Sequence, residues 1–279
     1  MDELINTRLV QFLKVLGLDE EPMGMFFCDQ PPEGGFSPKA GDLPTLEKER
    51  DNAVNWQEVF GSFSCVIKNI WLARKKQSTA WFSASHFGCP GGAFWLGFNK
   101  PQVETIINYV SSGIPGQMEG EFYCESPDKL RQIFGQVDPV PAPKPYCVFK
   151  PLGQFEDSEV PLLVTFFSRP ESLCGLHQLA AFVTNDPEVV MSPWSAACGS
   201  MGAWPMHYLE KGMEKAVIGG WDPSARKFFK TDELTFTVPY DMFVSMLEKY
   251  EGSFLKTSTW ENVHTKIRKS KTAWKESEE

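Results

Sequence analysis

Residues 79–92 read TAWFSASHFGCPGG, and this stretch carries the clearest signal for the fold. Residues 79–84 predict a strand, which leads into a glycine-rich loop, and an apolar helical pattern over 56–75 comes before it. The order helix, strand, glycine-rich loop predicts an α+β or α/β fold, in which a mixed sheet is covered by helices. Cys89 then lies just past a strand end, where α/β proteins commonly bind ligands.

Apolar spacing and turn residues extend this pattern along the chain. Cys65 belongs to the predicted helix 56–75, Pro101 to a first helical turn, and Ser126 to an N-cap position before Pro127. The predicted helices cover 3–16, 56–75, 101–112, 127–135, 170–183 and 239–250. The predicted strands cover 22–27, 79–84, 146–151, 162–167, 216–219 and 235–238.

The chain is predicted to form a single domain over residues 1–279. Four prolines between residues 139 and 145 form a stiff connection. This connection either links two similar halves, 1–138 and 144–250, or crosses over within one unit. Residues 29–45 are rich in proline and glycine and predict a long loop. Residues 264–279 predict a basic, polar tail.

Composition excludes several classes of protein. The formal net charge is −9, which disfavours nucleic acid and anionic membranes as partners. The start of the chain lacks the basic and apolar segments of a secretory signal, and no apolar run reaches the about 18 residues that span a bilayer. We therefore expect a soluble, cytoplasmic protein, in which most of the seven cysteines are reduced thiols or metal ligands.

Three cysteines lie beside small residues and form the candidate site. They are Cys65, Cys89 and Cys198, and the nearby glycines Gly88, Gly91, Gly92 and Gly199 are candidates for binding a cofactor. Thiolates presented from glycine-rich turns hold iron–sulfur clusters and soft metals. Three thiolates leave one iron of a cubane without a protein thiolate, and His86 is the nearest candidate for that place.

Less specific interpretations apply to the same residues. Cys89 is also compatible with a buried thiol at a tight turn, and His86 with a loop histidine that bonds to backbone. Zinc would also accept three thiolates and a histidine. The glycine-rich segments match neither the P-loop nor the dinucleotide-binding pattern, so the phosphate signal is weak. The remaining cysteines are expected to be packing residues: Cys28, Cys124, Cys147 and Cys174.

At these residues the chain resembles the DUF169 family. The resemblance rests on FSCVIKNIWLARK (63–75), STAWFSASHFGCPGGAFWLGF (78–98) and SAACGSM (195–201), and runs roughly from Leu4 to Leu247. Its most specific piece is Gly88 to Ala93. The family consists of uncharacterised cytosolic proteins common in anaerobic bacteria and archaea. The resemblance implies that Cys65 and Cys198 fall on family-like positions, and an anaerobic setting is compatible with an oxygen-labile cluster.

The first functional hypothesis is a cytosolic iron–sulfur protein that holds a [4Fe–4S] cluster and performs redox, sulfur or Lewis-acid chemistry. Its partner is then a small-molecule substrate or an electron-transfer protein. The second hypothesis is a metal-free protein that binds a small molecule in an aromatic pocket. The third is an enzyme that uses Cys89 as a thiolate nucleophile. Whether the chain is an enzyme and whether it forms a homo-oligomer stay open.

Overall fold

The computed structural model describes residues 3–276. The helices and strands of these residues are as follows. The helices are α1 (Glu3–Leu16), α2 (Leu46–Arg50), α3 (Trp56–Ser62), α4 (Val66–Lys76), α5 (Pro90–Trp95), α6 (Glu104–Val110), α7 (Pro127–Gln136), α8 (Pro170–Thr184), α9 (Ala197–Met201), α10 (Ala203–Glu210), α11 (Tyr240–Lys249), α12 (Ser258–Glu261) and α13 (Val263–Glu276). The strands are β1 (Met23–Cys28), β2 (Ala80–Ser83), β3 (Gly113–Ile114), β4 (Met118–Glu119), β5 (Tyr146–Pro151), β6 (Leu163–Ser168), β7 (Val190–Met191), β8 (Ala216–Gly219) and β9 (Leu234–Pro239).

Seven strands form one mixed sheet in the order β2-β5-β1-β6-β9-β8-β7. Neighbouring strands are antiparallel except β7 and β8, which are parallel. The predicted mixed sheet with surrounding helices is confirmed. Strand β5 lies between β2 and β1, so strands from both predicted halves share one sheet. The proline-rich connection before β5 is therefore a crossover within that sheet.

Each face of the sheet carries a hydrophobic core, because successive side chains of a strand point to opposite faces. In β5, Val148 belongs to one core, and Cys147 and Phe149 belong to the other. Helices α1, α8 and α11 cover the first core, and α4, α5, α9 and α10 cover the second. This three-layer arrangement puts the helices that carry the candidate cysteines on one side of the sheet.

The predicted helix 56–75 is wrong in one respect, since it consists of two helices. Helix α3 ends before Phe63, and α4 begins after Cys65, which is its N-cap residue and not an interior residue. The Ser64 amide donates to the Gly88 carbonyl oxygen at 2.8 Å instead of joining a helix. A tertiary hydrogen bond thus breaks a helix whose apolar spacing continues without interruption.

Other differences involve short elements with weak sequence signals. Helix α6 is shorter than predicted, and Pro101 precedes its N-cap residue Val103 and is not in its first turn. The glycine-rich segment after Cys89 forms α5, and the segment after Cys198 forms α9 and α10. Most of the predicted tail is helical as α13, and residues 277–279 lie outside the described residues. Within residues 3–276, no helix has the length and apolar character needed to cross a membrane.

Candidate functional site

A cavity of about 520 Å³ lies beside the second core, and all three candidate cysteines line it. We call it the thiol cavity. The residues that line it are Phe63, Ser64, Cys65, Val66, Ile67, Cys89, Pro90, Gly91, Trp95, Pro101, Ile106, Tyr109, Val110, Glu121, Tyr123, Phe134, Ser192, Pro193, Trp194, Ser195, Ala196, Cys198, Trp221, Asp222, Pro223 and Ser224. Its size is in the usual range for small-molecule sites, which is about 300–1,000 Å³.

Each cysteine of the thiol cavity lies at the start of a helix. Cys65 is the N-cap residue of α4, Cys89 is the N-cap residue of α5, and Cys198 lies in the first turn of α9. The Gly92 amide donates to Cys89 Sγ at 3.3 Å. Free amides and the positive ends of peptide dipoles meet at helix starts, and they favour negatively charged groups. Three separate segments therefore present thiols beside the amides of helix starts.

Close packing around two glycines brings the starts of α4 and α5 together. Gly88 has a φ of +82°, and a Cβ atom there would overlap the Ser64 carbonyl oxygen. A Cβ atom on Gly92 would lie 2.6 Å from Val66 Cγ2 and closer still to the Phe87 carbonyl oxygen. Because neither position has room for a side chain, the loop before α5 lies directly on the start of α4.

A third glycine brings α9 to the same place. A Cβ atom on Gly199 would lie 2.7 Å from the Trp95 ring and 2.8 Å from Ser195 Cβ. Of the four glycines predicted to bind a cofactor, Gly91 is the one that lines the thiol cavity. Gly88, Gly92 and Gly199 act instead by allowing the close packing that assembles the cysteines.

His86 lies elsewhere. Its Nδ1 is 3.1 Å from both Ser83 Oγ and Ser85 Oγ, and its ring packs against Trp81 with 4.8 Å between the centroids. It is not among the residues that line the thiol cavity. These contacts agree with the interpretation of His86 as a loop histidine, and they stabilise the turn after β2.

The other cysteines also lie away from the thiol cavity. Cys124 and Cys147 are buried and Cys28 is half-buried, as expected of packing residues. Cys174 is exposed on α8, so its expected packing role is wrong. The pattern of apolar residues around Cys174 does not show which side of helix α8 faces the sheet.

Two carboxylates of the thiol cavity were missed by the sequence reasoning. Asp222 Oδ1 accepts hydrogen bonds from the Tyr123 hydroxyl at 2.8 Å and from the Ser224 amide at 3.0 Å. Asp222 Oδ2 accepts a hydrogen bond from the Ala197 amide at 3.5 Å, so Asp222 joins the start of α9 to Tyr123 and Ser224. Glu121 lines the cavity beside Asp222. Both residues lie on loops without a recognisable motif, and only their position in the fold reveals them.

The backbone at Phe122 is unusual for a bulky residue. Its φ is +54°, and its side chain is 65% exposed. The two flanking residues, Glu121 and Tyr123, both line the thiol cavity. A left-handed conformation at a residue other than glycine costs about 1–3 kcal/mol and persists only where the surrounding structure fixes it. The strained backbone at Phe122 thus lies between two polar residues, Glu121 and Tyr123, that line one cavity.

Burial raises the pKa of all three thiols of the thiol cavity. The pKa of Cys65 is raised, that of Cys89 rises to about 12, and that of Cys198 lies well above its ordinary value. For Cys89 and Cys198 a neighbouring thiol adds to this effect, and Asp222 acts in the same direction on all three. The thiols are therefore protonated at neutral pH, and a metal that binds them must displace their protons.

Partial burial also raises the pKa of Glu121, and the neighbouring Asp222 carboxylate raises it further. Burial and the Asp222 carboxylate likewise raise the pKa of the Tyr123 hydroxyl to about 12. Glu121, Tyr123 and Asp222 thus form a polar wall of the thiol cavity, at which negative charges repel one another. Any further negative charge is disfavoured there, and a positive charge is favoured.

Among the side chains that the structure describes, no three of His, Cys, Asp or Glu converge closely enough to hold one metal ion. The predicted metal ligands Cys65, Cys89, Cys198 and His86 therefore do not form a single-ion site. The three thiols share a cavity, and the histidine does not share it.

Helix α6 forms one wall of the thiol cavity, and Glu49 of α2 caps its start. The Glu49 carboxylate accepts hydrogen bonds from the Glu104 and Thr105 amides, both at 2.8 Å, and from Thr105 Oγ1 at 2.6 Å. Partial burial opposes ionisation of Glu49, but these hydrogen bonds outweigh it and lower the pKa. A carboxylate at this end of a helix also interacts favourably with the peptide dipoles.

Replacing Glu49 by glutamine is expected to destabilise the protein by about 1–2 kcal/mol at neutral pH, because charge-assisted hydrogen bonds are lost. Since folding lowers the pKa of Glu49, its contribution is present above the ordinary glutamate pKa and disappears as the pH falls through the lowered value. Urea unfolding at neutral pH and at about pH 3 measures this difference. Glu47→Gln, on an exposed position of the same helix, is the control. An equal loss at both pH values would contradict the capping role.

The profile of DUF169, a family described as "Uncharacterised ArCR", matches residues 11–249. No curated protein and no solved structure matches the chain. The matched region contains every residue that lines the thiol cavity and ends before α12 and α13. Because the match covers most of the 279 residues, the chain belongs to the DUF169 family.

Proposed function

We propose that the thiol cavity binds an iron–sulfur cluster of the [4Fe–4S] type through Cys65, Cys89 and Cys198. The observation that supports this proposal is that three thiols, from segments separated by up to 133 residues (198 − 65), line one cavity. All seven cysteines are free thiols, and cysteine thiolates are the usual ligands of iron–sulfur clusters.

The helix starts that carry the three cysteines suit a negatively charged cluster, and the carboxylates of Glu121 and Asp222 oppose it. The amides at the starts of α4, α5 and α9 favour thiolates and cluster sulfides. The buried Trp95 ring shields part of the cavity from water, and this affects the potential of a cluster. A cubane presents a separate iron atom to each of its three thiolates, so these need not converge on one point as the ligands of one ion do.

A cubane held by three thiolates has one iron that is free to bind another ligand. Glu121 and Asp222 line the same cavity, whereas His86 does not, so the carboxylates replace His86 as candidates for a fourth side chain. When bound, the cluster would supply either electron transfer or Lewis-acid or sulfur chemistry at the free iron. The remaining space of the cavity would then receive the small-molecule substrate.

Single replacements of Cys65, Cys89 and Cys198 by serine are each expected to remove most of the iron from protein purified without oxygen. Loss of a group that only orients a metal ligand already weakens binding about 10–100-fold, and loss of a ligand should do at least as much. Iron and sulfide content per chain measure the effect. Cys147→Ser is the control, because Cys147 is a buried thiol outside the thiol cavity. Unchanged iron in all three variants would rule out the proposal.

The second candidate function is binding of a small organic molecule without a metal. The size of the thiol cavity and its largely apolar and aromatic lining favour this candidate. A colourless, metal-free protein that an organic ligand stabilises would support it. The third hypothesis, a thiolate nucleophile at Cys89, is disfavoured because the pKa of Cys89 rises to about 12 and His86 lies outside the cavity.

A further inference from the structure

In the described chain, the charged residues that line the thiol cavity are all acidic. Glu121 and Asp222 are the only charged residues among those that line it in the described chain, and no Lys, Arg or His joins them. Neither carboxylate forms an ion pair with any basic side chain that the structure describes. Asp222 is partly buried and Glu121 is exposed beside it, and two neighbouring carboxylates without a basic partner attract a cation. The protein itself does not supply one here.

The two carboxylates differ in how far the protein satisfies them. Asp222 accepts hydrogen bonds from Tyr123, Ser224 and Ala197, and therefore holds the wall together. The Glu121 carboxylate interacts with the Tyr109 hydroxyl and is exposed, so it is accessible to a ligand. The left-handed Phe122 next to it shows that the chain accepts backbone strain at this segment.

The aromatic residues of the cavity complement a cation with an apolar body. Trp221 is 54% exposed and Trp194 is 42% exposed, although both line the thiol cavity, so their rings are accessible at its edge. The Trp221 Nε1–H donates to Ser192 Oγ at 3.0 Å, which orients the ring. Faces of tryptophan and tyrosine rings attract ammonium groups within about 6 Å of the ring centroid.

A largely apolar, aromatic cavity with a few polar groups in its lining is the usual form of a site for a small ligand.

From these observations we infer that the thiol cavity binds a small organic cation, an ammonium or similar onium group on an apolar body, which Glu121 and the tryptophan rings recognise. The inference goes beyond the proposed function, because it rests on the cavity lining and applies with or without a cluster in part of the cavity. Anions and zwitterions with an exposed carboxylate are excluded by the same two carboxylates.

The test compares benzyltrimethylammonium with its neutral isostere neopentylbenzene, using the full-length protein purified without oxygen. Binding is followed by quenching of tryptophan fluorescence and by calorimetry, and Trp221→Phe identifies the part of the signal that comes from the cavity. The ammonium ion is expected to bind at least about 10-fold more tightly than the isostere, as desolvated cation–π and charge contacts allow. Glu121→Gln should abolish this preference, and Glu119→Gln, on β4 outside the cavity, should keep it.

Equal binding of the two probes, no binding of either, or an unchanged preference in Glu121→Gln would overturn the inference. Iron content is measured on the same samples and on Cys89→Ser. A cation preference without iron contradicts the proposed function alone. Iron without a cation preference contradicts this inference alone.

Discussion

Gly92→Ala is expected to destabilise the protein by about 3 kcal/mol, which is the upper range for forcing a methyl group into a packed core. The added Cβ atom would lie 2.6 Å from Val66 Cγ2 and closer still to the Phe87 carbonyl oxygen. Backbone cannot move aside as a flexible side chain does, so the start of α5 must shift relative to α4. The shift would also separate Cys89 from Cys65, and iron binding should fall together with the free energy of unfolding.

Gly91→Ala is the matched control, because it makes the same chemical change in the same helix. A Cβ atom on Gly91 would have ordinary contacts at 3.8 Å with Cys89 Sγ and the Trp95 ring. Since alanine favours a helix over glycine by about 1 kcal/mol, this variant should be as stable as the wild type or more stable. Urea unfolding of both variants measures the difference. Similar stabilities for the two would contradict the packing role assigned to Gly92.

Arg74→Met is expected to destabilise the protein by about 3–5 kcal/mol, the usual result of leaving one partner of a buried ion pair alone. Arg74 donates two hydrogen bonds to the Glu233 carboxylate, at 3.0 and 2.8 Å, and one to Glu20 at 2.6 Å. Its guanidinium also lies 3.5 Å from the centroid of the Phe167 ring. Glu233 is 3% exposed, so water cannot replace the lost arginine.

The double variant Arg74→Met/Glu233→Gln is expected to recover most of the loss, because it removes both buried charges. Glu20→Gln should have a smaller effect, since Glu20 is 35% exposed and lies at the edge of this network. Urea unfolding at neutral pH provides all the values for the double-mutant cycle. A loss below about 1 kcal/mol for Arg74→Met would show that the pair behaves like a surface salt bridge.

The sequence predicts the long elements of the fold well. Strand 146–151 and strand 216–219 are found with the same bounds, and helix 170–183 differs by one residue. These segments have a clear apolar period and end at proline, glycine or asparagine. Helix 56–75 was predicted without its break, because the hydrogen bond between Ser64 and Gly88 that causes the break joins residues far apart in the sequence.

The candidate site was predictable only in part. Cys65, Cys89 and Cys198 could be chosen from their small neighbours and from the family resemblance, and all three line one cavity. Glu121 and Asp222 could not be found in this way, because an acidic residue on a loop has the same sequence signal whether it faces solvent or a cavity. His86 has metal-ligand spacing to Cys89, but its bonds to Ser83 and Ser85 turn it toward its own loop.

If the three thiols of the thiol cavity hold an iron–sulfur cluster, wild-type protein purified without oxygen should contain about four iron and four sulfide per chain, with the broad visible absorption of a [4Fe–4S] cluster. Analysis of iron, sulfide and zinc together with a visible spectrum measures this. A colourless protein without iron, sulfide or zinc, even after anaerobic reconstitution, would show that no cluster binds and would leave the thiol cavity as a site for an organic ligand.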